Sequence, residues 1–142
     1  MKKETKTQMD YQDLNEAQID CIHETLNVLA LPEGSVSRDC MRWALIYCML
    51  KGTKNLQLSK ELYPYIAENM GIKPKTAESS LRYAINMAYE RSYNLYEILS
   101  FIDFQDTGTV GNKLFLQAMA KFMETQYMKK SKISWHRILI IL

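Results

Sequence analysis

SKELYPYIAENMGIKPKTAESSLRYAINMAYER, Ser59–Arg91, holds two short helical patterns that meet at one glycine. In the first, Leu62, Ile66, Ala67 and Met70 share a face, and the hydroxyl of Ser59 is a candidate acceptor for an orphan backbone N–H at the helix start. Pro64 is costly five residues after that cap, because an interior proline removes a backbone bond and crowds the preceding turn; a start nearer Leu62 makes it harmless. Both starts stay open.

Gly71 follows the last apolar residue and takes positive φ readily, so the chain can turn sharply there, and Pro74 suits the first turn of a new helix. Ala67 and Gly71 form the small-residue and turn-glycine pair that lets two helices cross closely. Beyond the turn Ala77, Leu81, Ala84, Ile85 and Ala88 make a core stripe of mainly small side chains. Lys75, Ser79, Arg82, Tyr83 and Asn86, at spacings of 4, 3, 1 and 3, fall on the other side of the same helix. The layout predicts a helix-turn-helix over residues 59–92.

LYPYIAENMGIKPKTAESSLRYAINMAYER resembles the C-terminal effector domain of the stage-zero sporulation transcription factor of endospore-forming bacteria. The likeness is carried by an LYP-x-IA first helix and by an R-x-AI-x-x-A-aromatic-x-R second helix, here Arg82, Ala84, Ile85, Ala88, Tyr89 and Arg91. It extends more weakly from about Ile19 to about Phe122. The resemblance implies an all-α, compact bundle of about six helices that places the second helix of the pair in the DNA major groove at sporulation promoters. Two departures stand out. The family carries further arginines at positions aligned with Thr76 and Ser79, leaving Arg82 as the match; each bidentate arginine–guanine pair is worth roughly 1–3 kcal/mol of base discrimination. The family's receiver domain is also not expected here, since the segment before Leu31 is too short to hold one, and no phosphorylation switch is assigned.

Composition agrees with one globular domain: 142 residues, 47% apolar and 24% charged, with only three prolines and five glycines. Net charge is +2, too small to name a nucleic-acid partner, but its distribution is uneven. Three lysines face seven acidic residues up to Glu33, a balance of −4, which leaves fifteen basic against nine acidic residues, +6, in the remainder. A basic body fits phosphate contact. A solvated surface of mixed sign is the plain alternative.

Residues 1–11 read as a flexible leader, residues 12–130 as a helical DNA-binding domain and residues 131–142 as an apolar tail. A helix from Asp13 carries Ile19, Ile22, Leu26 and Leu29 inward and stops at Pro32 and Gly34. A second, capped by Ser37 and ended by Gly52, is apolar on most sides and is expected at the centre. Lys51 and Lys54 follow it as candidate backbone contacts. Asn94 with Glu97 suggests a capping box for a short helix to Phe101 or Ile102. The loop from Asp103 lacks the twelfth-position Glu of a calcium loop, having Leu114 there. Asn112 is expected to cap a last helix with Leu114, Phe115, Ala118, Met119 and Phe122 inward, ending before Lys129, Lys130 and Lys132. The tail Ile133–Leu142 is too short to span a bilayer, which takes roughly 20 apolar residues; a cover over the domain, a dimer contact and a shifted or truncated frame are its open readings.

Cys21, Cys40 and Cys48, without paired spacing, read as core thiols of a cytoplasmic protein; neither they nor His23 and His136 make a metal pattern. No secretory signal opens the chain. The carboxylates lie mostly on predicted helix surfaces and no glycine-rich phosphate loop occurs, so neither an enzyme, a cofactor nor a small-molecule substrate is expected. The first functional expectation is a sequence-specific DNA-binding regulator whose interface comprises Lys73, Lys75, Thr76, Ser79, Arg82, Tyr83 and Asn86. A nonspecific electrostatic DNA binder ranks second. An interaction module for the full-length sporulation regulator ranks third, motivated by Thr76, Ser79 and the apolar tail. A second copy of the chain is a further candidate partner, a membrane is not.

Overall fold

The computed structural model describes residues 13–92, Leu95 and residues 111–141, with side chains in the last helix described as far as Tyr127. The leader 1–11, the helix expected from Asn94 and the loop from Asp103 to Val110 lie outside the described residues. Within them the chain is all-helical: α1 (Glu16–Val28), α2 (Val36–Lys51), α3 (Tyr63–Met70), α4 (Pro74–Arg91) and α5 (Asn112–Ile141), with no strand among the described residues. The helices pack as a compact bundle around one core, closed by Leu14, Leu31, Leu56 and Leu95 from the connecting segments.

α1 starts three residues later than Asp13. Asn15 Oδ1 accepts from the Gln18 backbone N–H at 2.8 Å while Gln18 Oε1 accepts from the Asn15 N–H at 2.9 Å, a reciprocal cap that satisfies two orphan donors. The helix ends at Val28, and Ala30 turns the chain with φ 59°. Ile22, Leu26 and Leu29 are buried as expected and Ile19 is half-buried.

Ser35, not Ser37, caps α2, its Oγ accepting from the Arg38 N–H at 3.1 Å. Ser37 lies buried inside the first turn. The two serines look alike to a rule based on residue type, and the extended backbone at Ser35 (ψ 153°) decides between them. α2 packs against α1, α3, α4 and α5, and is the central helix that its apolar sequence predicted. Its one buried charge went unanticipated. Arg38 Nη1 donates to the Leu31 carbonyl at 2.9 Å and Nη2 to Asn27 Oδ1 at 3.0 Å, tying the α1–α2 connection to the helix. Trp43 and Tyr47 of α2 meet Tyr65 of α3 edge to face, with ring centroids 6.0 and 5.2 Å apart.

The two starts left open near Ser59 resolve into one continuous helical segment. A π-helical turn, Leu58–Leu62, runs directly into α3, and Ser59 sits inside it without capping it. Leu62 N–H bonds to Gln57 O at 3.1 Å and Tyr63 N–H to Leu58 O, each five residues back. Pro64 then falls where the π-helical turn passes into α3, so within the continuous segment it is interior and not at a free helix start.

At the far end of α3, Gly71 adopts φ 70°, ψ 36°, and Ile72 N–H returns to the Ala67 carbonyl at 3.0 Å. The expected close approach belongs to Ala67 alone, which is buried. A Cβ on Gly71 would meet nothing within 4 Å. Gly71 is therefore needed for its backbone angle and not for space. Gly71→Ala is expected to lower the unfolding free energy by about 1–2 kcal/mol, and Gly71→Asn by less, read as shifts in urea midpoint at constant slope.

α5 differs from expectation in register and length. Leu116 and Met123 join Phe115, Ala118 and Met119 in the core, whereas Leu114 is exposed and Phe122 half-buried. The backbone stays helical past Lys129 to Ile141, and no glycine or proline interrupts the sequence there. Asn112 lies inside the first turn, its amide Nδ2 donating to the Tyr63 hydroxyl at 2.9 Å. Cys21, Cys40 and Cys48 are buried thiols outside any disulfide, as anticipated. Burial pushes the Cys40 and Cys48 thiols up to about 12 each. Among the described residues no helix is long and apolar enough to cross a membrane.

Candidate nucleic-acid interface

The α3–α4 unit is built from two helices joined by Gly71, Ile72 and Lys73. Lys73 is extended (φ −85°, ψ 151°), Pro74 presets the first helical φ, and Ala77 N–H closes the first turn on the Lys73 carbonyl at 2.9 Å. No side chain caps this helix start. Its first backbone donors therefore face outward with the positive end of the helix dipole.

Ala77, Leu81, Ala84, Ile85 and Ala88 are the buried residues of α4, matching the expected stripe member for member. Four of these five are at most 0% exposed and Ile85 is 2%. Their small volume lets α4 lie close to α2 and α3. The Cys40 thiol, on α2, reaches the Ala77 carbonyl at 3.5 Å, which reports that approach.

The opposite side is uncovered. Lys73, Lys75, Thr76, Ser79, Arg82, Tyr83 and Asn86 are all exposed, so the structure brings the whole set to one surface around the start and outer face of α4. Tyr83 is 60% exposed, unusual for a large ring and notable because it stands between Ser79 and Asn86. Arg82 Nη1 lies 3.5 Å from Glu78 Oε2, one turn back, with both side chains about half-exposed. Solvent screens such a pair, so it costs little to release Arg82 toward another anion.

Three nearby residues escaped the sequence reading. Glu78 and Glu90 bring negative charge to or beside the face, Glu90 being exposed one turn beyond Asn86. Tyr63 is buried beneath it. Burial raises its hydroxyl pKa, the Asn112 hydrogen bond lowers it, and the charges of Glu78 and Arg82 act on it in opposite directions. That hydroxyl thus ties the start of α3 to the start of α5. The Glu residues were visible at helical spacing from Arg82 and Asn86. The Tyr63–Asn112 contact, between distant parts of the chain, left no local signal.

Away from the α3–α4 unit the described residues include buried cysteines and a cleft. No group of three or more His, Cys, Asp or Glu side chains there is placed to hold a metal ion. A cleft of about 640 Å³ between α1, α2 and α5 is lined by Cys48, Lys54, Lys121, Glu124 and Tyr127 among others, and by no residue of α3 or α4. Its one thiol is held protonated by burial, the opposite of an activated nucleophile.

A family model described as sporulation initiation factor Spo0A C terminal matches residues 22–123, from within α1 to within α5, most of the chain and all of the α3–α4 unit. No curated protein and no solved structure matches it. The matched family is one of all-α, DNA-binding effector domains of response regulators, active in transcription regulation at sporulation, and is not a family of enzymes. The resemblance first carried by Arg82, Ala84, Ile85, Ala88, Tyr89 and Arg91 thus holds over the bundle as a whole, and the chain belongs to the Spo0A C-terminal domain family.

Proposed function

We propose that the chain binds double-stranded DNA sequence-specifically as a transcription regulator of the sporulation type, acting in the cytoplasm, with α3 and α4 as a helix-turn-helix and α4 in the major groove. The observation that carries this reading is the pairing, on one helix, of a buried alanine-rich stripe with an exposed polar face, in a member of a DNA-binding family. Arg82 reads a base edge. Lys75, Thr76, Ser79 and Asn86 contact bases or the flanking backbone, Tyr83 offers its ring to a thymine methyl or a sugar, and Lys73 with the uncapped helix start holds a phosphate. This reading calls on no cofactor and assigns no phosphorylation switch to any residue of the chain.

Selection from a pool of random duplexes is expected to converge on one sequence motif, with affinity that falls steeply as salt rises. Convergence on no motif with equal binding of all duplexes makes the chain an electrostatic binder. Absence of binding, together with capture of the full-length sporulation regulator, makes it an interaction module. A two-fold repeat in the recovered motif reports a second copy as partner.

A further inference from the structure

We propose that DNA seated on α4 is also held through its backbone phosphates at a second surface, the cleft lined by Lys54, Asn55, Gln57, Ser59 and Lys113. The proposal rests on the reading of α4 above and adds a site outside the helix pair. The cleft, about 480 Å³ and open to solvent, lies where the segment after α2 and the π-helical turn meet the start of α5, with the buried Leu56 beneath it.

Its chemistry is one-sided. Lys54 and Lys113 are exposed, and the rest of the polar lining consists of amide and hydroxyl groups; no carboxylate lines it among the described residues. The nearby Glu61 is turned to α2, where its Oε1 accepts from the Tyr47 hydroxyl at 2.8 Å. Two ammonium groups with flanking neutral donors suit a strand of phosphates, each lysine acting as a point charge that needs no fixed geometry. The lysines come from separate elements, so only the folded chain brings them together.

The cleft is tied to the α3–α4 unit by way of α3. Asn112, next to Lys113, donates to the Tyr63 hydroxyl at 2.9 Å, and that hydroxyl lies within the electrostatic reach of Arg82 and Glu78. The cleft is therefore joined to α4 through α3, whose first residue, the buried Tyr63, meets Asn112 and whose preceding π-helical turn carries Ser59. A duplex with a helix in its major groove presents a phosphate strand along each edge of that groove, and elements flanking the helix meet those strands.

The test compares the intact chain with Lys54→Gln/Lys113→Gln and Lys54→Arg/Lys113→Arg, on the duplex recovered by selection and on a scrambled duplex. The glutamine pair is expected to weaken both duplexes by the same factor. Its plot of log affinity against log salt should be shallower by about 2, from two phosphates at roughly 0.9 each. The arginine pair restores the slope, which a structural role for the lysines would not do. An unchanged slope, or a loss confined to the selected duplex, overturns the proposal, and if Arg82→Ala still alters base preference the α4 reading stands without it. Failure of the intact chain to bind either duplex overturns both.

Discussion

Leu81→Ala is expected to lower the unfolding free energy by about 2–5 kcal/mol, the range for removing a fully buried leucine where the surroundings relax only in part. Leu81 is 0% exposed and lies on a stripe whose members at 77, 84 and 88 are alanines, so with Ile85 it supplies most of the apolar volume that anchors α4. Native domains are stable by only about 5–15 kcal/mol, and a loss of this size is a large part of the whole. The check is a urea titration followed by circular dichroism: the midpoint drops while the slope stays constant. An unmoved midpoint would mean that α4 is not held by this face.

One residue further on, Arg82→Ala should do the reverse. Arg82 is 55% exposed and its contact with Glu78, 3.5 Å, is an exposed pair four residues apart, so stability should change by less than about 0.5 kcal/mol. Affinity for the selected duplex should fall by roughly 1–3 kcal/mol, about 5- to 150-fold, with preference relaxed at one base position. Arg82→Lys keeps the charge without the bidentate fork; affinity for scrambled duplex should hold while the preference still relaxes. The measurement is a competition gel shift against duplexes that differ at single positions. Retention of both affinity and preference in Arg82→Ala would remove this residue from the interface. Neighbouring positions therefore separate the fold from its use, because consecutive residues of a helix point about 100° apart.

The residues that were read most securely lie in α4, where buried stripe and polar face alternate at helical spacing without ambiguity. Cap assignments fared worse. Ser37 and Ser59 were plausible by residue type, yet Ser35 caps α2 and no side chain caps the π-helical turn before α3. A cap is chosen by the backbone angle at one residue, and several serines compete for it in a short stretch. α5 misled for another reason. Leu114, Phe115, Leu116, Ala118 and Met119 are apolar on so many sides that two faces fit the period, and packing against α1, α2 and α4 selected Leu116 over Leu114. The burial of Arg38 leaves no local sign, because it depends on two acceptors, Asn27 Oδ1 at the end of α1 and Leu31 O in the connection after it.

The amphipathic α4, the turn at Gly71, the core thiols and the family motif were all legible in the order of the amino acids, since each depends on residues within a few turns of one another. The burial of Arg38, the bond from Asn112 to Tyr63 and the basic cleft shared by Lys54 and Lys113 were not. Each joins distant segments or depends on the volume left between packed helices, and one-dimensional spacing carries no record of either.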